Sequence, residues 1–461
     1  MIGEGVEHAH FGPGRIVAVY RGGTEWLVRF DSGLTFRRPR EEFAGSPGVP
    51  AAATGPRYVP PPPMLPSQLE ARRLVEALRV GIAPADHVRE LTIGLVPERA
   101  SLAAGLNQAL DQGGDVRAVV GEYGFGKSHF VQLAAEEALA RNFLVATAGL
   151  DIVELPAHRG FDIYAALMRS LRYPDRVDEH DLAALLDASA TPRVVEQLRE
   201  HAPVAGDPFA LGLAVMAEMP GRRGRHPWQQ WLMGGRKAKG MAKALPRGVK
   251  LPTLYATGHN ERQLAYLLTA VSALARLAGY SGLAVLIDEA ESYSLLRPAQ
   301  REKAGTFFAA LVYAALGERQ ARIDPAALPE HRHKEYPPRF GDGQSLFFVF
   351  TLTHSDNQMP LDDWLAPEQV LTLDPHPSPQ EIGQFLQQLQ ACHARAFGYE
   401  PGERQSQVRR SATELLAEGA RLDRLSIRGV VRLAVELYDL MLLYPDFDVP
   451  LLLDELRRQL K

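Results

Sequence analysis

The residues best equipped for chemistry fall in one octet, Gly121-Glu122-Tyr123-Gly124-Phe125-Gly126-Lys127-Ser128. Its spacing is G-x-x-x-x-G-K-[ST], in which glycines let backbone N–H groups turn inward and cradle phosphate oxygens at a helix N-terminus. Lys127 can reach the β- and γ-phosphates of a nucleoside triphosphate, and the Ser128 hydroxyl can bind Mg²⁺. His129 follows directly and completes the expected contact set. A second stretch, Leu283-Ala284-Val285-Leu286-Ile287-Asp288-Glu289, is an apolar run that ends in two acids. Asp288 is placed to hold Mg²⁺ through its water shell, and Glu289 to polarise an attacking water. Each motif has a bland reading, a glycine-rich turn or a core strand with an acidic end. Together they point to ATP binding and hydrolysis. A P-loop also serves phosphotransferases, but the Asp288-Glu289 pair argues against that chemistry.

The elements around the motifs must place them. Val116-Arg117-Ala118-Val119-Val120 reads as a short buried strand entering the P-loop. Phe130, Leu133, Ala134 and Ala138 recur at helical spacing after it. Asn142-Phe143-Leu144-Val145, Leu346 to Thr353 and Val370 to Leu373 supply further apolar strands, making five with the two that carry the motifs. The interval from Lys127 to Asp288 is far longer than a plain nucleotide-binding core needs, so an insertion is expected between them. After the fifth strand, Ser378-Pro379-Gln380-Glu381 has an N-cap serine, proline at N1 and glutamate at N3, which announces a helix. Ile427, Val430, Val431, Ala434, Tyr438 and Met441 form the last clear helical stripe.

The predicted division is therefore a small β-domain over 1–43, a proline-rich linker over 44–67, and the first part of a core over 68–155. A mainly helical insertion over 156–282, the second part of the core over 283–375 and a helical lid over 376–461 complete it. In the first segment, Ile16 to Tyr20, Trp26 to Phe30 and Leu34 to Phe36 alternate between glycine-bearing turns, with Trp26, Val28 and Phe30 on one face. His8 and His10 read as ordinary surface or turn residues rather than metal ligands.

Composition narrows the function classes. The chain of 461 residues is 46% hydrophobic and 23% charged, ordinary for a globular protein with a sizeable core. A net charge of −4 gives no global attraction to nucleic acid, so such binding would need a local patch. One cysteine, Cys392, allows neither an intrachain disulfide nor a cysteine-built zinc site. The N-terminus has no apolar signal-peptide run and no stretch approaches a bilayer span, which leads us to expect a cytoplasmic protein without membrane contact.

The residues from Ala71-Arg72-Arg73-Leu74 through Val88-Arg89-Glu90-Leu91-Thr92-Ile93-Gly94, the P-loop, Asn142 to Val145, and Ala278-Gly279-Tyr280-Ser281-Gly282-Leu283 running on through the acid-ended strand to Glu291 resemble the ATP-binding proteins of bacterial BREX phage-resistance loci, a BrxD-like family of P-loop proteins. The resemblance spans most of 68–460 and is weakest in the middle. It implies ATP as ligand, Mg²⁺ as cofactor and a role in antiphage defence. Gly5 to Gly14 resembles the opening of the SH3/Tudor-like barrels of CarD-type regulators and UvrD-type helicase tails, which implies docking onto a protein or nucleic-acid partner.

The fold implied is α/β: a three-layer P-loop NTPase core of the AAA+/STAND kind with a helical insertion and lid, preceded by a small all-β barrel. By that resemblance Thr353 would sense the γ-phosphate and Arg428 would be the lid arginine that reaches phosphate. A plain strand end and a surface arginine, paired with Asp423 or Glu436, are the alternatives. Arg297 and Arg301 are placed to serve as trans-acting fingers in a homo-oligomer. Inside the insertion, the segment from Met219 to Asn260 contains no acid. It carries Arg236, Lys237 and Lys239 with Trp228 and Trp231 nearby, the residue types that phosphate neutralisation and base stacking require. The alternative is a solvated loop whose tryptophans pack on the core. The reading is an ATP-hydrolysing motor or switch acting on or near DNA; its rival is a regulatory protein-binding switch with little turnover and no DNA contact.

Overall fold

Alternating burial organises the N-terminal unit, Met1–Leu65. Strands β1 (Gly5–His8), β2 (Gly12–Tyr20), β3 (Glu25–Phe30), β4 (Thr35–Pro39) and β5 (Phe43–Ala44) form an antiparallel sheet in the order β4-β3-β2-β1-β5. Trp26, Val28 and Phe30 share its buried face with Val6, Ile16 and Phe43, as their period of two requires. His8 is a correction to the sequence reading. Its ring is buried against Phe11 and Phe43, and its two nitrogens lie 3.2 Å from a Glu42 carboxylate oxygen and 3.1 Å from the His10 backbone nitrogen.

The computed structural model describes residues 2–44, 64–81, 87–176, 178–219, 221–254, 258–330, 335–353, 359–374, 376–422, 424–446 and 448–460. Most of the expected proline-rich linker, 45–63, lies outside the described residues, as does Asp423. Among the described residues no helix is long and apolar enough to cross a membrane.

The second unit, Pro66–Lys461, begins with helices α1 (Pro66–Arg79) and α2 (Val96–Gln112). Strand β6 (Gly114–Val120), α3 (Lys127–Leu139) and β7 (Phe143–Gly149) follow. The insertion contributes α4 (Gly160–Arg169), α5 (Leu182–Ser189), α6 (Pro192–His201), α7 (Pro208–Glu218), α8 (Arg222–Leu232) and α9 (Glu261–Leu277). The chain then returns through β8 (Gly282–Asp288), α10 (Pro298–Leu316), β9 (Leu346–Leu352), α11 (Leu361–Trp364) and β10 (Val370–Thr372). Helices α12 (Pro379–Phe397), α13 (Glu403–Arg421), α14 (Ile427–Leu443) and α15 (Val449–Leu460) end it.

The five strands pair in parallel in the order β10-β6-β9-β8-β7. A parallel sheet must be covered on both faces, and the side chains divide accordingly. Val119, Val145, Ala284, Leu286, Phe347 and Val349 pack with α2 and α3. Ala118, Leu144, Val285, Ile287, Phe348 and Phe350 face the other way, into the large core shared with α9, α10 and the insertion. Helix, sheet and helix thus form three layers, consistent with a P-loop NTPase core. Two charged residues are buried inside β6 and pair with each other: Arg117 donates to the Asp115 carboxylate at 2.6 Å, and Gln369 donates to the same carboxylate at 3.0 Å. That pairing offsets the desolvation of a buried charge.

A separate apolar core unites α12, α13, α14 and α15 with α1, through Ala71, Leu74, Val75 and Leu78. Arg79 donates to Asp439 at 2.8 Å, and the buried His393 lies 3.1 Å from the same carboxylate. The N-terminal helix of this unit therefore belongs to the C-terminal bundle, hundreds of residues away in sequence. The capping box at α12 is present: Ser378 Oγ accepts from the Glu381 N–H at 3.3 Å, and Glu381 accepts from the Ser378 N–H at 2.7 Å.

Candidate nucleotide-binding site

Strand β6 delivers the chain to the loop 121–126, which turns it into α3. Gly124 and Gly126 both hold φ of +89°, a conformation that L side chains rarely adopt. This places Lys127 at the first turn of α3, where its side chain is only 8% exposed. Its Nζ donates to Gly121 O at 2.8 Å, Glu122 O at 3.2 Å and Thr353 Oγ1 at 2.7 Å. Buried ammonium groups need such partners. His129 Nε2 lies 2.8 Å from Thr92 Oγ1, and burial pushes the imidazole down to about 4, so it is neutral near pH 7. Tyr123 stands exposed on the loop and Ser128 exposed in the first turn of α3.

Strand β8 ends at Asp288, whose Oδ1 accepts from Thr351 Oγ1 at 2.5 Å and from the Glu289 N–H at 3.0 Å. Thr351 Oγ1 also lies 3.0 Å from that N–H. These bonds hold Glu289 at φ of +59°, a left-handed conformation that non-glycine residues adopt at functional sites when the surroundings enforce it. Loss of water around its carboxyl raises the Glu289 pKa above the ordinary range, and the charges of Asp288, Glu291 and Asp151 add to the rise. A raised carboxyl is a stronger base toward water.

Because β9 lies between β6 and β8, its C-terminal end falls between Lys127 and the two acids. Thr353 accepts from Lys127 and lies 3.0 Å from Glu291 Oε1. Sequence reasoning singled out Thr353 but assigned no role in the site to Thr351 or Glu291. Their signals were present: a threonine inside an otherwise apolar run, and a further acid two positions after Asp288-Glu289.

Lys127, Asp288, Glu289 and Glu291 line one cavity of about 640 Å³, within the usual size of a small-ligand site. Gly124, Phe125, Gly126, Ser128, His129, Asp288, Glu289 and Glu291 line its polar end with Lys127. Leu78, Leu91, Ile93, Leu95, Ile427 and Val431 make the opposite wall apolar, a surface suited to the flat face of a base. Sequence reasoning missed this wall. Its residues come from α1, α14 and the segment before α2, and no local spacing joins them. Leu95 is a second non-glycine residue in the left-handed region, with φ of +60°.

Arg428, in the first turn of α14, also lines the cavity. Its side chain crosses Gly81, with Cγ 2.7 Å from where a Cβ would sit. Among the described residues no hydrogen bond or ion pair engages Arg428, and Glu436 is not its partner. Arg297 and Arg301 do not line the cavity; Arg301 donates to Leu296 O at 3.0 Å within its own turn.

No group of three or more His, Cys, Asp or Glu among the described residues could hold a metal ion by itself. The Ser128 hydroxyl and Asp288 carboxylate still fit Mg²⁺ that arrives with a nucleotide, since such an ion takes one or two protein ligands and fills its shell with phosphate and water. Asp288 Oδ2 has no hydrogen-bond partner among the described residues, which leaves it able to take a water of that shell.

The acid-free segment behaves differently from its expectation. Trp228 and Trp231 are 2% and 1% exposed and pack edge to face at 5.8 Å inside the large core. Neither indole can stack on a base, because both faces are covered by protein. Arg236, Lys237 and Lys239 are exposed. Arg225, from the same basic run, lies 3.5 Å from Asp187.

A family model described as BREX system ATP-binding protein BrxC/D matches residues 67–202. The matched span is less than half of the chain; it contains the P-loop and stops before Asp288. No curated protein matches the chain.

Proposed function

We propose that the chain binds ATP with Mg²⁺ in this cavity, hydrolyses it to ADP and phosphate, and serves as a motor or switch in bacterial phage defence, acting on or near DNA. One observation carries the ATP reading: Lys127, Asp288 and Glu289 line a single cavity beyond the carboxyl ends of the parallel strands, and Thr353, just past the end of β9, accepts from Lys127 at 2.7 Å. Ligands of open α/β sheets sit outside the carboxyl ends of the strands. The defence role rests on the similarity of residues 67–202 to the BREX ATP-binding proteins.

Each side chain then has a role. Lys127 and the backbone N–H groups of the loop bind the phosphates, and Ser128 with Asp288 holds the cation. Bound Mg²⁺ would neutralise charge on the β- and γ-phosphates. Glu289 takes the proton of the attacking water, while Thr351 holds the Asp288–Glu289 turn in place. Thr353 reads the γ-phosphate, and Arg428 reaches it from the lid. This is the arrangement of an AAA+/STAND-type ATPase with a discontinuous lid, and a cytoplasmic location fits it. The N-terminal sheet, taken as an SH3-like barrel, docks a protein partner, and Arg236, Lys237 and Lys239 supply the DNA contact.

The burial of Trp228 and Trp231 favours a second reading, because it removes base stacking from the DNA contact. On that reading the protein is a regulatory switch that changes protein contacts with little turnover. Measuring ATP turnover with and without duplex and single-stranded DNA separates the two. Stimulation by DNA supports the first; a low rate that DNA leaves unchanged and a protein partner alters supports the second. No turnover and no nucleotide binding would remove both.

A further inference from the structure

Lys127 and Thr353, the two groups assigned above to the γ-phosphate, both face one carboxylate. Glu291 Oε1 lies 3.0 Å from Thr353 Oγ1 and 3.6 Å from Lys127 Nζ. The Thr353 hydroxyl has a single proton. Its oxygen accepts from Lys127 at 2.7 Å, so the proton goes to Glu291. Lys127 has three donors, and Gly121 O, Glu122 O and Thr353 Oγ1 take all three. The other Glu291 oxygen is buried and meets no hydrogen-bond partner among the described residues. An anionic oxygen accepting from Thr353 beside the Lys127 ammonium is also what a γ-phosphate would present. Two such anions cannot share one cation and one proton without strong repulsion in a partly dehydrated cavity.

We propose that Glu291 is a specificity-determining residue whose carboxylate competes with the γ-phosphate for Lys127 and Thr353. A triphosphate must displace it, whereas a diphosphate, which ends one phosphate short, need not. The carboxylate therefore lowers ATP affinity relative to ADP affinity and sets how readily nucleotide exchange favours the triphosphate. This rests on the ATP reading above.

The test is equilibrium titration of the full-length chain and of Glu291→Gln with fluorescent ATP and ADP analogues, each with and without Mg²⁺. The amide keeps shape and hydrogen bonding but removes the charge. ATP should bind about tenfold more tightly or better, while ADP stays within about twofold. Glu291→Asp, which keeps the charge, should stay near the wild-type ATP-to-ADP ratio. Should the amide variant fail to fold, as read by its melting transition, Glu291→Ser carries the same expectation. An equal change for both nucleotides, or an Asp variant that matches the Gln variant, would overturn the proposal. So would weaker ATP binding confined to the Mg²⁺ arm, since that places Glu291 on the metal rather than the phosphate. Absence of nucleotide binding by the wild type would instead strike the ATP reading itself.

Discussion

The polar end of the cavity and the acid-free segment both hold cations, and they treat them in opposite ways. Lys127 is buried, and its three donors are taken by two backbone carbonyls and Thr353. Arg236, Lys237 and Lys239 are exposed to solvent. A buried, fully bonded cation has its geometry set before a ligand arrives. An exposed one offers charge that salt screens and side-chain freedom blurs. The aromatic residues sharpen the contrast. In the acid-free segment both indoles are packed in the core, which leaves only charge for any recognition there. The first region has the fixed geometry that the proposed discrimination between a triphosphate and a diphosphate requires. The second can sense only how much negative charge is near.

Four experiments test that contrast. Removing the geometry-bearing cation should have the largest effect. Lys127→Ala should abolish tight ATP binding, as read by titration with a fluorescent analogue, because the phosphates lose their fixed countercharge; unchanged affinity would remove the P-loop assignment. Next comes the core role of the indoles. Trp231→Ala should destabilise the protein by about 3–5 kcal/mol in denaturant melts while leaving DNA affinity of the folded fraction unchanged. A loss of DNA binding without loss of stability would return the tryptophan to the surface.

Chemistry should then separate from binding. Glu289→Gln should keep ATP affinity but reduce turnover by about 10²-fold or more, since the amide cannot take a proton from water; near wild-type turnover would mean another group activates the water. The smallest effect belongs to the exposed cations. Replacing Arg236, Lys237 and Lys239 together with alanine should make the log–log salt dependence of DNA binding shallower by about two to three units. A wild type that binds no DNA at low salt would leave the segment without a nucleic-acid role and favour the protein-binding switch.

What could be read before the structure was local. The octet from Gly121 to Ser128 and the acids at Asp288 and Glu289 are short-range patterns, because a phosphate cradle and a strand-end acid pair are built from neighbours in the chain. The five core strands were legible for a related reason: strands covered on both faces leave near-continuous apolar runs. The Ser378 capping box is equally local. Other features depend on which element packs beside which. Spacing alone could not place β9 between β6 and β8, yet that order is what brings Thr353 to Lys127 and Thr351 to Asp288. Nor could it assign α1 to the C-terminal bundle, from which Leu78 and Gly81 reach the cavity beside Arg428.

The two tryptophans show the same limit from the other side. An acid-free run with interleaved aromatics is compatible with a stacking platform or with a loop pinned to a core, and local sequence contains nothing that distinguishes them. Burial decides it, and burial belongs to the whole packed chain. Glu291 is the clearest case. As one more acid after the pair it means little; its weight comes from Thr353, brought to it from a strand that follows more than fifty residues later. The chain's order determined which groups are available for phosphate chemistry, since their types and spacing are covalent facts. Only the tertiary structure decided which of them meet, because hydrogen bonds and Coulomb forces act over a few ångströms of space and are indifferent to distance along the chain.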